Sequence, residues 1–283
     1  MDIKVVVKGG GDLGTGVAHR LHRAGMRIII TELSRPLVIR RAVAFATAIY
    51  SGVVEVEGVR AKRAGSLEEA WAAHEKGEIP VLIDPQAQVV GRWEPEVVVD
   101  AIMAKRNTGT KITDAPLVIG LGPGFEAGLD VHAVVETARG HNLGRVILSG
   151  RAEPDTGVPG EVAGYTFQRI LRAPSAGTFK AVRRIGDRVE AGATVGYVDS
   201  QPVRAAIGGV LRGVIADGVE VVEGMKLGDV DPRGSVEYCF TISDKARAIG
   251  GGVLEAILYL GREKGLLSKN YGQCQPLYPY PFL

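Results

Sequence analysis

Residues 3–16, read IKVVVKGGGDLGTG, constrain the fold more than any other stretch, because an apolar run passes straight into glycines and then into a helical pattern. Ile3, Val5, Val6 and Val7 are too few to span a membrane and too β-branched for a favoured helix, so they read as a buried parallel strand. From Thr15 onward, Val17, Ala18, Leu21 and Ala24 recur at steps of three and four, and Gly25 ends the pattern. Gly9, Gly11 and Gly14 thus sit between strand and helix. There, Gly9 allows a tight turn, Gly11 lets backbone approach a bound phosphate, Gly14 lets helix and strand pack closely, and the helix N-terminus attracts the anion. The next strand-like run, 27–31, ends in Glu32, an acid at the interval at which dinucleotide folds bind a ribose diol. The plainer alternative is a close crossover without a ligand. Asp12, inside the loop, either repels phosphate or caps the helix.

A chain of 283 residues has room for two domains, and its 46% hydrophobic and 23% charged residues are ordinary for a globular protein. A formal charge of +2 gives no global basic field, so nucleic acid is not an expected partner. No apolar run reaches membrane-spanning length and the start lacks a signal-peptide pattern, so no membrane association and a cytoplasmic location are expected. Cys239 and Cys274 form no CxxC pair, which fits a reducing compartment. Cys239 reads as a small buried apolar residue, and the proline-dense segment 270–283 around Cys274 as a poorly ordered tail.

Along the chain, 36–48 looks helical, 53–62 alternates as a hairpin around Gly58, and 66–76 opens with a capping box, Ser66 and Glu69. Short β-branched runs at 80–84, 95–102, 116–121 and 146–148 give residues 1–155 the rhythm of a Rossmann-like open α/β sheet, in which ligands bind beyond the strand C-terminal ends. One such end, DAIMAKRNTGT, offers Asp100, Lys105, Arg106, Asn107 and Thr110; Lys and Arg suit phosphate, and Asn and Thr suit orientation. Gly122 and Gly124 around Pro123 suit a nest of amides for an anion. A solvated loop and a plain tight turn are the bland alternatives. His132 and Glu136 stand one turn apart if their segment is helical, which would suit an acid and base pair, whereas metal ligation lacks a third compact ligand. The loop 150–160 is the expected domain boundary.

From residue 171 the pattern changes. LRAPSAGTFKAVRRIGDRVEAGATVGYV and VRAAIGGVLRGVIADGVEVVEGMKLGDV align without a gap at an offset of 204 − 172 = 32, with glycines 177/209, 186/218, 192/224 and 196/228 in register. Two such units of short strands would bury their apolar faces together, so 160–240 is expected to be a small all-β domain of the biotinyl/lipoyl barrel-sandwich kind. Its joint, residues 199–202, has no lysine to carry a swinging arm, and Lys226 falls at the position of Thr194. A helix at 244–266, after an interruption at Gly250, Gly251 and Gly252, is expected to pack back onto the first domain.

Taken together, GGGDLGTGVAHRLHRAG, RPLVIRRAVAF, DAIMAKRNTGT, GLGPGFEAGLDVHAVVETARGHNLGR and TGVPGE resemble the YqeB-type accessory proteins of the selenium-dependent molybdenum hydroxylase system, over residues 3 to about 265. The resemblance implies a maturation factor related in role to the xanthine dehydrogenase and carbon monoxide dehydrogenase accessory proteins. It also implies the molybdenum cofactor, as molybdopterin or its dinucleotide form, as ligand, and a molybdenum hydroxylase apo-enzyme as partner. Phosphate on that cofactor suits Gly9, Gly11, Gly14, Lys105 and Asn107, with the GPGF loop or His132 nearer the reactive end. Two other readings stay open: an NAD(P)-dependent oxidoreductase with Glu32 on the ribose, and a non-enzymatic docking adaptor. Self-association is open as well.

Overall fold

The computed structural model describes residues 3–267 of the chain, so the tail expected at 270–283 and Cys274 lie outside the described residues. The chain runs through β1 (Lys4–Lys8), α1 (Asp12–Arg23), β2 (Arg27–Glu32), α2 (Ala48–Ser51), β3 (Val53–Val56), β4 (Val59–Ala64), α3 (Leu67–Glu75), β5 (Ile79–Ile83) and α4 (Val89–Trp93). It continues with β6 (Val97–Asp100), β7 (Leu117–Leu121), β8 (Glu126–Ala127), β9 (Ala133–Val135), β10 (Val146–Ile147) and β11 (Gly150–Arg151). These elements build the first unit around one nine-stranded sheet of order β10-β9-β7-β6-β1-β2-β5-β4-β3, with β8 and β11 paired beside it.

The middles of strands β1, β2, β6 and β7 are unbroken apolar runs because both faces of the sheet are covered. Val5, Val7, Ile28, Ile30, Val97 and Val99 point to the side of α1, whereas Val6, Ile29 and Val98 join Leu82, Val89, Trp93 and Phe125 on the other. The hairpin β3–β4 forms around Gly58, and Ser66 caps α3 by accepting from the Glu69 amide, while the Glu69 carboxylate accepts from Gly65. The capping-box return reaches one residue further than the sequence implies.

The second unit comprises β12 (Ile170–Arg172), β13 (Gly177–Ala181), β14 (Arg188–Val189), β15 (Thr194–Val198), β16 (Gln201–Arg204), β17 (Gly209–Val214), β18 (Glu220–Val221) and β19 (Lys226–Asp231). Strands β13 and β17, β14 and β18, and β15 and β19 begin 32 residues apart, the offset of the internal repeat. They form two four-stranded antiparallel sheets, β12-β19-β17-β14 and β16-β15-β13-β18, so each sheet takes two strands from each repeat. Phe179, Leu211, Val214, Leu227 and Val230 are among the side chains filling the core between them.

The expected fold class, a Rossmann-like open sheet with a biotinyl/lipoyl barrel-sandwich domain, is corrected by this topology. The main sheet is mixed, with antiparallel strands at both edges, and no helix joins β6 to β7 or β7 to β9. The missing layer comes from the far end of the chain, where α5 (Asp244–Glu263) lies against α1 and beside β7, β9 and β10. The second unit is a pair of separate antiparallel sheets. Alternating short strands and helices in a sequence do not reveal which crossovers lack helices or which distant segment substitutes for them.

Three local expectations change too. Residues 36–48 form 3-10 turns at Arg41–Val43 and Phe45–Thr47, because this segment straps the two units together: Arg41 Nε donates to the Val214 carbonyl at 2.7 Å, and the Ile39 carbonyl packs where Gly213 lacks a side chain. The three glycines of α5 do not interrupt it. A Cβ on Gly250 would stand 2.8 Å from the Gly16 carbonyl and one on Gly252 2.1 Å from that of Gly144, so these two admit backbone at close range. Finally, His132 and Glu136 flank strand β9 rather than sharing a helical turn.

Candidate functional site

The C-terminal ends of β1, β2 and β6, the N-termini of α1 and α5, the strap, and strands β17 and β19 of the second unit enclose one cleft of about 1010 Å³. Gly9, Gly11 and Gly14 all line it. Each does a different thing. Gly9 has φ +93°, in the left-handed region, and a Cβ on Gly14 would stand 2.1 Å from the Gly9 carbonyl, so these two permit the crossover itself. Gly11, the N-cap of α1, meets nothing nearer than Val38 Cγ1 at 3.7 Å, so its missing side chain leaves space on the cleft side. The free first-turn amides of a helix and its dipole make that space favourable to an anion.

Glu32 lines the cleft at the end of β2, where its carboxylate accepts from the Gly10 amide at 2.8 Å and the Leu33 amide at 2.9 Å. Burial pushes its pKa up from the ordinary carboxyl value, and the two amide bonds only partly oppose this. Below the β1 and β6 ends, Lys8 donates to Thr110 Oγ1, which donates to Asp100, and Lys8 and Asp100 stand 3.5 Å apart in a buried, mutually satisfied trio. This trio anchors the 101–116 loop to the sheet.

The other sequence candidates divide. Lys105 lines the cleft, ion-paired with Asp155 at 2.7 Å. Asn107 is turned into its own loop, its amide donating to the Thr110 carbonyl and its oxygen accepting from Gly109 and Thr110. Only Pro123 of the GPGF turn reaches the cleft; Gly122 and Gly124, at φ +70° and +112°, admit Thr137 and the Arg106 backbone at close range. His132 Nδ1 accepts from the Val118 amide beside the sheet, and burial lowers its pKa. Glu136 accepts from the amides of Thr137, Ala138 and Glu153, so it holds the loop that enters the second unit.

Residues that the sequence reading did not assign to a ligand site supply much of the cleft's charge. Arg40 on the strap is 8% exposed; its guanidinium pairs with Asp12 at 3.3 Å and donates to the Tyr238 and Thr241 carbonyls at 3.0 Å. Arg139 pairs with Asp244 and Arg169 with Asp229, each at 2.7 Å. Lys245 in the first turn of α5 and Lys226 at the start of β19 line the cleft as well, and among the described residues neither has an ion pair or a side-chain hydrogen bond. Lys226 keeps surface open to the cleft, yet the surrounding walls desolvate both ammonium groups and pull their pKa values down. The one sequence signal for Lys226 is the break in the repeat, lysine against Thr194. Among the described residues no group of three or more His, Cys, Asp or Glu is placed to hold a metal ion, and no helix is long and apolar enough to cross a membrane.

No family model matches the chain. It is 49% identical over 256 residues to the uncharacterized protein YqeB of Escherichia coli (strain K12), a match taking in 90% of this chain and 47% of that protein. The chain thus spans about half the length of the curated relative it matches. Similar solved structures include a succinylglutamate desuccinylase/aspartoacylase from Rhodobacter sphaeroides, at 13% identity and TM-score 0.24 over 81% of this chain and 85% of that one. An aspartoacylase family protein from Mesorhizobium loti, at 14% identity and TM-score 0.26, covers the same shares.

Proposed function

We propose that the cleft binds a phosphate-bearing cofactor, the molybdenum cofactor as molybdopterin or its dinucleotide form, and that the chain serves in the cytoplasm as an accessory factor for a molybdenum hydroxylase. The observation that carries the binding half is the open space at Gly11, where the first turn of α1 lines a cleft that is also lined by two lysines which, among the described residues, have no ion pair. The accessory role rests on the ordered motifs shared with the YqeB-type proteins.

The residues present fit the phosphate end of such a ligand. The first turn of α1 donates amides to it and contributes on the order of 0.3–1 kcal/mol through the helix dipole, and Lys245 and Lys226 supply charge. When bound, the cofactor supplies the sulfur ligands that hold molybdenum; the protein's own groups hold and orient the phosphate and keep bulk water from one side of it. Equilibrium binding of purified molybdopterin to wild type and to Gly11→Asp tests the reading. A carboxylate in that space is expected to weaken binding at least about tenfold, or 1.4 kcal/mol, and equal affinity removes the glycine loop from the account.

A second reading, NAD(P) as ligand, is favoured by one observation: Glu32 lines the cleft at the end of β2. Both of its oxygens already accept backbone amides, which leaves it less free for a ribose diol. Saturable NADH binding that Glu32→Ala abolishes would support this reading over the first.

A further inference from the structure

The wall opposite the glycine loop holds more positive charge than its own carboxylates match. Arg212 on β17 has Asp231 as its nearest carboxylate, at 3.5 Å, but that carboxylate is already engaged by Arg233 at 2.6 Å. Asp229 is likewise taken by Arg169. Arg40 Nε and Arg212 Nε, both on residues that line the cleft, are buried donors with no hydrogen-bond partner, and Asp229 Oδ1 is an unpartnered acceptor whose charge reaches Arg212. Buried polar groups are normally satisfied, so a cluster of orphans on one cleft wall marks a place where something is to be bound. Burial, with the Arg40 charge beside it, lowers the pKa of Arg212.

The internal repeat sharpens the point. At the offset of 32, Arg212, Lys226 and Asp229 correspond to Lys180, Thr194 and Tyr197. The second copy lines the cleft; in the first copy Lys180 and Tyr197 are exposed outside it. The fold needs the glycines and valines common to both copies, whereas the charged set belongs to the copy that faces the cleft.

We propose that Arg40, Arg212 and Lys226 form a subsite for a phosphoryl group next to the one at the α1 N-terminus, so that the cleft takes a ligand with two neighbouring phosphates. The proposal rests on the cleft being a phosphate site. Around Arg40, Arg212, Lys226 and Lys245, Asp12 pairs with Arg40 and its charge reaches both lysines, and the charge of Glu136 reaches Lys245. Charge-assisted bonds from the guanidinium and ammonium groups suit phosphoryl oxygens.

Isothermal titration at fixed ionic strength with inorganic phosphate and inorganic pyrophosphate tests this on the full chain, with thermal melts to establish that each variant is folded. Wild type is expected to bind pyrophosphate at least about tenfold more tightly than phosphate. Lys226→Met is expected to remove most of that preference while leaving phosphate within about twofold, Lys226→Arg to restore it, and Lys180→Met, at the exposed position that corresponds to Arg212, to change nothing. Equal binding of the two anions by wild type, an unchanged preference in Lys226→Met, or an equal loss in Lys180→Met overturns the subsite. If Lys226→Met fails in this way while Gly11→Asp still weakens molybdopterin binding, the subsite is lost and the cofactor reading stands. The reverse pattern keeps the subsite and discards the cofactor.

Discussion

Gly11 and Gly14 are three residues apart and have opposite tolerances. A methyl group at Gly14 would collide with the Gly9 carbonyl at 2.1 Å, backbone that cannot step aside, so Gly14→Ala is expected to lose roughly 1–3 kcal/mol in a denaturant melt. Gly11→Ala meets only Val38 Cγ1 at an ordinary 3.7 Å and is expected to stay within about 0.5 kcal/mol of wild type. Glu32 gives a pH-dependent test. Burial holds its folded-state carboxyl above the unfolded value, so its contribution to stability is full below the unfolded pKa and shrinks as pH rises through the raised one. Glu32→Gln has one acceptor oxygen for two amides and is expected to cost about 1 kcal/mol near pH 4, with the gap to wild type narrowing toward pH 7. Melting curves across that range check the sign, and a widening gap contradicts it. The sequence marks these residues as special. It does not separate a glycine needed by the backbone from one that leaves room, since that depends on the atoms opposite.

Local elements with self-contained signals are legible in the sequence. The hairpin at Gly58 and the Ser66 cap depend on residues within a few positions of one another, and Ser66→Ala is expected to cost about 1 kcal/mol, with faster amide exchange confined to the first turn of α3. Helix α5 is the opposite case. Its glycines look like a break because they are read against neighbours in sequence, yet Gly250 and Gly252 face backbone brought from far away, that of Gly16 and Gly144. Gly252→Ala is therefore expected to loosen the seat of α5 on the sheet and to raise hydrogen exchange over 244–263 more than over α1. Equal protection of the two helices in the variant would show that the close approach is dispensable. His132 and Glu136 fail for a related reason: two polar residues four apart fit a helix or the two ends of a short strand, and pairing with β7 decides.

At the scale of the molecule, the cleft exists because three segments distant in sequence close around the glycine loop: the strap at 37–40, the second repeat, and the start of α5. Arg41 carries part of that closure through its 2.7 Å bond to the Val214 carbonyl. Arg41→Met is expected to speed proteolytic cleavage in the 153–162 loop and enlarge the radius of gyration in solution scattering, and unchanged values of both would assign the closure to apolar packing alone. The sequence by itself determined the elements whose causes are local, namely the opening strand, glycine loop and helix, the hairpin and cap, and a duplicated β unit with a 32-residue period. Only the tertiary structure decided the mixed sheet, the borrowed helical layer, and which copy of the repeat turns its charges inward. Periodicity and turn chemistry are properties of neighbouring residues, whereas burial, close backbone approach and unmatched charge arise between residues that only the folded chain brings together.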